Sequence, residues 1–420
     1  MTASDLVLLD GATGTELTRR GVPTRLPAWS ATAIESDPDV VRAIHLDHAR
    51  AGADVLTANT FRTQRRTLVR IGHARRAREW TFAAVRLARE AAETAREEAP
   101  DRPPIRVAGS VAPLEDCYEP SLAPDEATAL AEQREHAGTL AEAGVELLLV
   151  ETMGTLREAR AATRAATETG LETWTSAITD HSGTRLLSGE RLEAWVEAMA
   201  PLAPAALLVN CVGPAVTEAA IRVLAPLAAA LGVPCGAYAN LGSAEPIDGW
   251  RFDIAMAPDE YATAMARVLD AGASIVGGCC GTTPEHIGAL RRLLDLRIAA
   301  ARTASEETDA PWRALVATAT RLAGGGPALV VGRAEMSLPG SFQVTRVALD
   351  ELSSLPEARF RLAIVDAAAL DRSVAGALEP GGWLVARLAP SDRPLILDAL
   401  EVREVGREGG GLRLLARRQA

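Results

Sequence analysis

Residues 144–159 read GVELLLVETMGTLREA, and the reading of this stretch decides the fold class. Gly144 closes an alanine-rich segment of helical pattern over 124–143, as a helix C-terminus often does. ELLLVET (146–152) follows with almost no alternation of apolar and polar residues. Such a run marks a parallel strand covered on both faces. A second helical pattern then occupies 155–169. Strand, turn and helix recur in both directions from here. The other strand candidates are LVLLDG (6–11), DVLTANT (54–60), RVAGSV (106–111), TWTSAIT (173–179), ALLVNC (206–211), CGAYANL (235–241) and SIVGGCC (274–280). Helical patterns fill 39–52, 74–98, 214–231 and 258–271. Eight strand–helix units are the count of a (β/α)8 TIM barrel, and an open doubly wound sheet is the alternative. A barrel carries its chemistry at the C-terminal ends of its strands. Those ends are Asp10, Asn59 with Thr60, Ser110, Glu151, Cys211, Asn240, and Cys279 with Cys280.

The chain has 420 residues, long enough that two domains are expected, with 48% hydrophobic and 24% charged residues as in ordinary globular proteins. ARTASEETDAP (301–311) is polar and reads as a linker. The expected division is therefore a barrel over 1–300, a linker over 301–311 and a small α/β domain over 312–420. A net charge of −11 argues against a nucleic-acid partner, which needs a basic face. All 44 fixed basic side chains are arginine, which excludes lysine-based catalysis. The start, MTASDLVLLDGATG, lacks the pattern of a signal peptide, and no uninterrupted apolar run of membrane-spanning length is seen. Five cysteines, two of them adjacent, do not form a disulfide framework. The expectation is a soluble protein of a reducing cytoplasm, with small-molecule partners and no membrane.

Cys279 and Cys280 very rarely could bond to each other, because disulfide geometry does not suit adjacent residues. Two readings remain on the residues alone. The cysteines are small buried fillers of an apolar barrel, or Cys211, Cys279 and Cys280 converge on one metal ion at the barrel mouth. Gly277, Gly278 and Gly281 permit the turn that convergence needs. Three soft ligands point to zinc, and a vacant fourth position marks a catalytic site. Cys117 reads as a spectator thiol and Cys235 as core.

LLDGATGTEL (8–17), ANTF (58–61), LLVETM (148–153), LLVNCVGP (207–214) and GGCCGTTPEHI (277–287) occur in this order. Together they resemble the homocysteine S-methyltransferase family over residues 1 to about 298. The resemblance implies a zinc-dependent barrel that methylates a thiol, with Cys211, Cys279 and Cys280 as zinc ligands. It implies Asp10 and Glu151 as holders of the α-amino group, and backbone N–H groups of Gly11 and Ala12 for the carboxylate. Asn240 would be an exchangeable zinc ligand, although YANLG departs from the family's Tyr-Pro-Asn-Ala-Gly. Asn59, Thr60, Phe61 and Tyr118 are the candidates for the donor side. The reaction implied is transfer from S-methylmethionine or S-adenosylmethionine to homocysteine, giving methionine. The alternatives are another thiol or selenol, betaine as donor, or a non-catalytic zinc- and metabolite-binding partner protein. In the C-terminal domain, FRLAIVDAAAL (360–370) and ALEPGGWLVARLAP (377–390) resemble the second half of a Rossmann-like S-adenosylmethionine-dependent methyltransferase. Only Gly332 remains of the expected cofactor turn, so this domain is read as a packing or dimerisation unit of a homo-oligomer.

Overall fold

The computed structural model describes residues 6–241 and 256–323, and beyond them the strands of a second sheet. The chain divides into two compact units, Met1–Ile298 and Ala299–Ala420. Eight strands make up the sheet of the first: β1 (Val7–Leu8), β2 (Val55–Ala58), β3 (Arg106–Val111), β4 (Leu147–Met153), β5 (Glu172–Ala177), β6 (Ala206–Asn210), β7 (Cys235–Ala239) and β8 (Ile275–Gly278). They pair in parallel in the order β1-β8-β7-β6-β5-β4-β3-β2. A parallel bridge between Leu9 and Val55 closes the remaining seam. Helices follow the strands, the main ones being Pro38–Ala51, Ala77–Glu98, Glu126–Ala143, Leu156–Thr167, Leu192–Met199, Pro214–Leu231, Pro258–Asp270 and Pro284–Ala323. This is the expected (β/α)8 barrel. Each strand lies within or within a residue or so of its predicted stretch.

The double burial read from ELLLVET has a direct cause. Leu147 and Leu149 point into the barrel, where they meet Trp174, Leu208, Tyr238 and Ile275. Leu148 and Val150 point outward into the layer between sheet and helices. Each such side chain contributes about 1.5–3 kcal/mol on burial, so both faces of β4 hold the strand in register. Gly144 takes φ +86° at the end of the preceding helix, a conformation that costs any other residue. Thr155 then starts the next helix by accepting the N–H of Glu158 at 3.2 Å.

Two stretches differ from a simple reading of their composition. Helix Pro214–Leu231, with mean hydropathy 1.4, is long and apolar enough by composition to cross a membrane. Glu218 and Arg222, ion-paired at 2.7 Å, interrupt its apolar run and hid it from the sequence reading. It packs on β6 and β7, with Ile221 and Leu224 fully buried. Residues 301–311, expected as a linker, lie inside helix Pro284–Ala323. Three alanines and two glutamates in that stretch favour the helix, which continues through its polar residues.

The second unit contains β9 (Gly326–Gly332), β10 (Phe342–Val347), β11 (Phe360–Ala367), β12 (Leu378–Leu388), β13 (Leu400–Glu408) and β14 (Gly411–Arg418). Their order is β10-β9-β11-β12-β14-β13, with the first four parallel and β14 antiparallel to both neighbours. β11 and β12 fall within FRLAIVDAAAL and ALEPGGWLVARLAP. The turn expected after Gly332 lies outside the described residues.

Candidate active site

Cys211 follows β6 directly and Cys279 and Cys280 follow β8, so all three enter one barrel mouth. Their sulfurs all lie within 4.8 Å of one another, and Cys211 Sγ stands 2.9 Å from Cys279 Sγ. Thiolates around one zinc ion at its usual bond length of about 2.3 Å stand roughly 3.8 Å apart, inside the span of this group but wider than the Cys211–Cys279 pair, which would have to open slightly around such an ion. Cys279 is held well below the ordinary thiol range, first by its contact with Cys211 and then by that with Cys280. Cys211 is correspondingly raised, by the Cys279 contact above all.

The turns that bring the sulfurs together are strained. Cys211 has φ +60° and Thr152, just after Glu151, has φ +63°. Non-glycine residues in this region cost about 1–3 kcal/mol each and persist only where their surroundings over-determine them. Asn210 supplies that constraint. Its Oδ1 accepts from Thr152 N–H at 3.0 Å and from the Ser176 hydroxyl at 2.8 Å. Its Nδ2 donates to Thr152 Oγ1 at 2.8 Å and reaches Cys211 Sγ at 3.5 Å.

A cleft with about 730 Å³ of empty space opens beside the sulfurs, and Asp10, Glu151, Trp29, Phe61, Cys117 and Tyr118 are among its walls. Asp10 is 3% exposed and its carboxyl pKa is pushed up to about 7, by burial first, against hydrogen bonds from Thr57 N–H (2.7 Å) and Thr57 Oγ1 (2.9 Å). Glu151 is pushed up to about 8 by burial and then by the charge on Cys279. The hydroxyls of Ser110 and Tyr238 donate to it, the latter at 3.2 Å. No lining residue of this cleft is basic, and neither carboxyl has an arginine partner among the described residues. Two buried acids without a countercharge are costly unless a cation arrives from outside.

The remaining predicted residues divide. Gly11, Phe61 and Tyr118 line the cleft. Phe61 meets Trp29 edge-on, ring centroids 5.8 Å apart. Gly14 leaves room for that indole, since a Cβ there would stand 2.2 Å from it. Ala12 also lines the cleft, but its N–H donates to Thr282 Oγ1 at 3.2 Å instead of facing a ligand. Asn59 is turned to the backbone, exchanging hydrogen bonds with Ser30 Oγ (2.7 Å) and Ser30 C=O (2.9 Å). Thr60 is fully buried and ties β2 to β3, donating to Ser110 C=O (3.1 Å) and accepting from Ser110 N–H (2.9 Å). Asn59 nonetheless lines the cleft, whereas Thr60 does not. Cys117 packs against Trp29 and Cys280 but stays outside the three-sulfur group.

Asn240, expected as an exchangeable ligand, is committed to the cysteine backbones. Its Nδ2 donates to Cys211 C=O at 2.8 Å and its Oδ1 accepts Cys280 N–H at 3.1 Å. It is a clamp across the two ligand-bearing turns. Asn240→Ala is expected to weaken metal binding about 10- to 100-fold, the usual loss when a group orienting a ligand is removed. Competition with a chromophoric chelator measures this; unchanged affinity would show that the clamp has no such role.

A parallel barrel whose mouth gathers three thiols and two buried acids has the architecture of an enzyme. The chain belongs to the homocysteine S-methyltransferase family, whose model matches residues 7–294. It is a methyltransferase. Homocysteine S-methyltransferase from Escherichia coli (strain K12) is 32% identical over 304 residues, 68% of this chain and 94% of that protein. Selenocysteine Se-methyltransferase from Brassica oleracea var. italica is 26% identical over 309 residues, 68% of this chain and 88% of that protein. The metallated form of the E. coli homocysteine methyltransferase MmuM superposes with TM-score 0.61 at 29% identity, covering 69% of this chain and 96% of that one.

Proposed function

We propose that this chain transfers a methyl group from a cationic sulfonium donor, S-methylmethionine or S-adenosylmethionine, to the thiol of homocysteine, with zinc held by Cys211, Cys279 and Cys280. The observation that carries the reading is the cleft itself, which joins three sulfurs to two buried carboxyls and has no basic lining residue among the described residues. The acceptor's ammonium group supplies the charge that Asp10 and Glu151 lack. Its carboxylate meets the N–H of Gly11, which has no partner among the described residues. Zinc, when bound, supplies the Lewis acidity that removes the thiol proton at neutral pH and leaves the sulfur nucleophilic. The acidic walls favour a cationic donor, and Trp29, Phe61 and Tyr118 add an aromatic wall to the cleft that suits such a cation. As the acceptor's S–CH3 bond forms, the donor's S–CH3 bond breaks, and the donor leaves as a neutral thioether carrying the electron pair. The protein contributes position and field to this in-line displacement.

The test is turnover by purified, zinc-loaded protein, with homocysteine offered to S-methylmethionine, S-adenosylmethionine and betaine in parallel. Methionine formation with either sulfonium is the expected result. Turnover with betaine alone, or none with any donor, contradicts the reading.

A further inference from the structure

The turn that carries the cysteines and the turn that would hold the acceptor's amino-acid end are joined through one side chain, Thr282. It follows the cysteines in GGCCGTT, is buried, and has no part in the chemistry above. Its hydroxyl donates to Cys279 C=O at 2.7 Å and accepts the N–H of Ala12 at 3.2 Å. Two glycines make room for it. A Cβ on Gly278 would stand 2.3 Å from Thr282 Oγ1, and one on Gly11 would stand 3.0 Å away. The surrounding backbone is tied in the same sense, with Gly278 N–H on Asp10 C=O (3.0 Å) and Gly281 N–H on Thr15 Oγ1 (2.9 Å). The hydroxyl therefore spans the seam between β1 and β8, where Asp10 leaves one strand and Cys279 the other. A methyl group has the same size but can neither donate nor accept.

We propose that Thr282 is a positioning residue that sets the distance between the amino-acid-binding turn and the sulfur cluster, and thereby favours acceptors of homocysteine length over those one methylene shorter. The inference rests on the proposed function, since it needs an acceptor held at both ends. Such an acceptor tolerates little error in the span. A displacement of roughly 1 Å can cost about 100-fold in rate, and one methylene in a fitted site discriminates by about 10- to 200-fold.

The experiment uses the full-length, zinc-loaded chain with Thr282→Val and Thr282→Ser, and Thr282→Ala as a second hydroxyl-free variant in case the valine does not fold. Zinc content, kcat and KM are measured for homocysteine and for cysteine, together with calorimetric binding of both thiols. Thr282→Val is expected to keep its zinc and to raise KM for homocysteine about 10-fold or more, with a smaller change in kcat. The homocysteine-to-cysteine ratio of kcat/KM falls by a similar factor, and Thr282→Ser restores both. A loaded valine variant with unchanged KM and unchanged ratio overturns the proposal. So does a serine variant as impaired as the valine, or zinc loss with the ratio intact in the loaded fraction. A wild type that binds homocysteine but turns over nothing overturns the methyl-transfer reading instead, and the calorimetric ratio then decides the role of Thr282.

Discussion

Cys279→Ala is expected to release the metal and to lower turnover by roughly 1,000-fold or more, since loss of a ligand exceeds the 10- to 100-fold effect of loss of a ligand's support. The reason lies in how the cluster is built. Cys279 is the thiol held lowest of the three, and its sulfur is in contact with Cys211 at 2.9 Å. Without it, only the thiols of Cys211 and Cys280 remain in the group. Zinc analysis of the dialysed variant and a methionine-formation assay measure the two losses together. Cys279 is only a partly buried neighbour of the barrel's interior cluster, so the variant is expected to fold with an unaltered far-ultraviolet circular dichroism spectrum. Retention of both zinc and activity would remove Cys279 from the site.

Glu151→Gln is expected to lower kcat/KM for homocysteine by about 100-fold or more, because truncating one partner of a buried charge pair typically costs about 3–5 kcal/mol. The same substitution is expected to stabilise the acceptor-free protein at alkaline pH. The sign follows from linkage. The carboxyls of Glu151 and Asp10 are raised to about 8 and about 7 in the folded chain, above their ordinary values of 4.5 and 3.8. The native state therefore binds protons that the unfolded state has released, and its stability falls as pH rises from about 4 to 8. Glutamine removes one of these groups. Buried His45, His48 and His136, lowered to about 3, 4 and 4 by burial, act in the opposite direction, costing stability as pH falls below about 6.5. The difference between variant and wild type cancels that contribution, so paired melting curves at pH 6 and pH 8.5 isolate Glu151.

Activity has its own pH signature. An ammonium group is held only by ionised carboxylates, so kcat/KM for the acceptor is expected to climb with pH through the interval from about 7 to 8. Glu151→Gln should lose the upper part of that climb. A flat profile in wild type, measured with the zinc content held constant, would separate these acids from acceptor binding.

The barrel was legible because its strands are buried on both faces. Leu147 and Leu149 fill the interior while Leu148 and Val150 face the helices, and that double demand is written into ELLLVET as an apolar run. The main chemical groups were legible for a related reason. Asp10, Glu151, Cys211, Cys279 and Cys280 all stand at or just beyond strand ends, where a parallel barrel opens. The supporting groups were not. Asn210, Thr57 and Thr282 act through partners distant along the chain, as Thr282 does with Ala12, and no local pattern records such a pairing. Asn210 had the best signal, a polar residue ending an otherwise apolar strand next to a candidate ligand. Asn59 and Thr60 show a different pattern. They occupy a strand end exactly as site residues do, but their polar atoms are taken up by Ser30 and Ser110. Strand-end position selects candidates, and hydrogen-bond partners decide among them.

The central claim is that three cysteine sulfurs hold zinc and leave one position for the acceptor's sulfur. X-ray absorption at the zinc edge tests it most directly, on the loaded protein before and after addition of homocysteine. The account predicts three sulfur neighbours at about 2.3 Å, rising to four on addition. A count that stays at three, or a first shell that sulfur does not dominate, would contradict it.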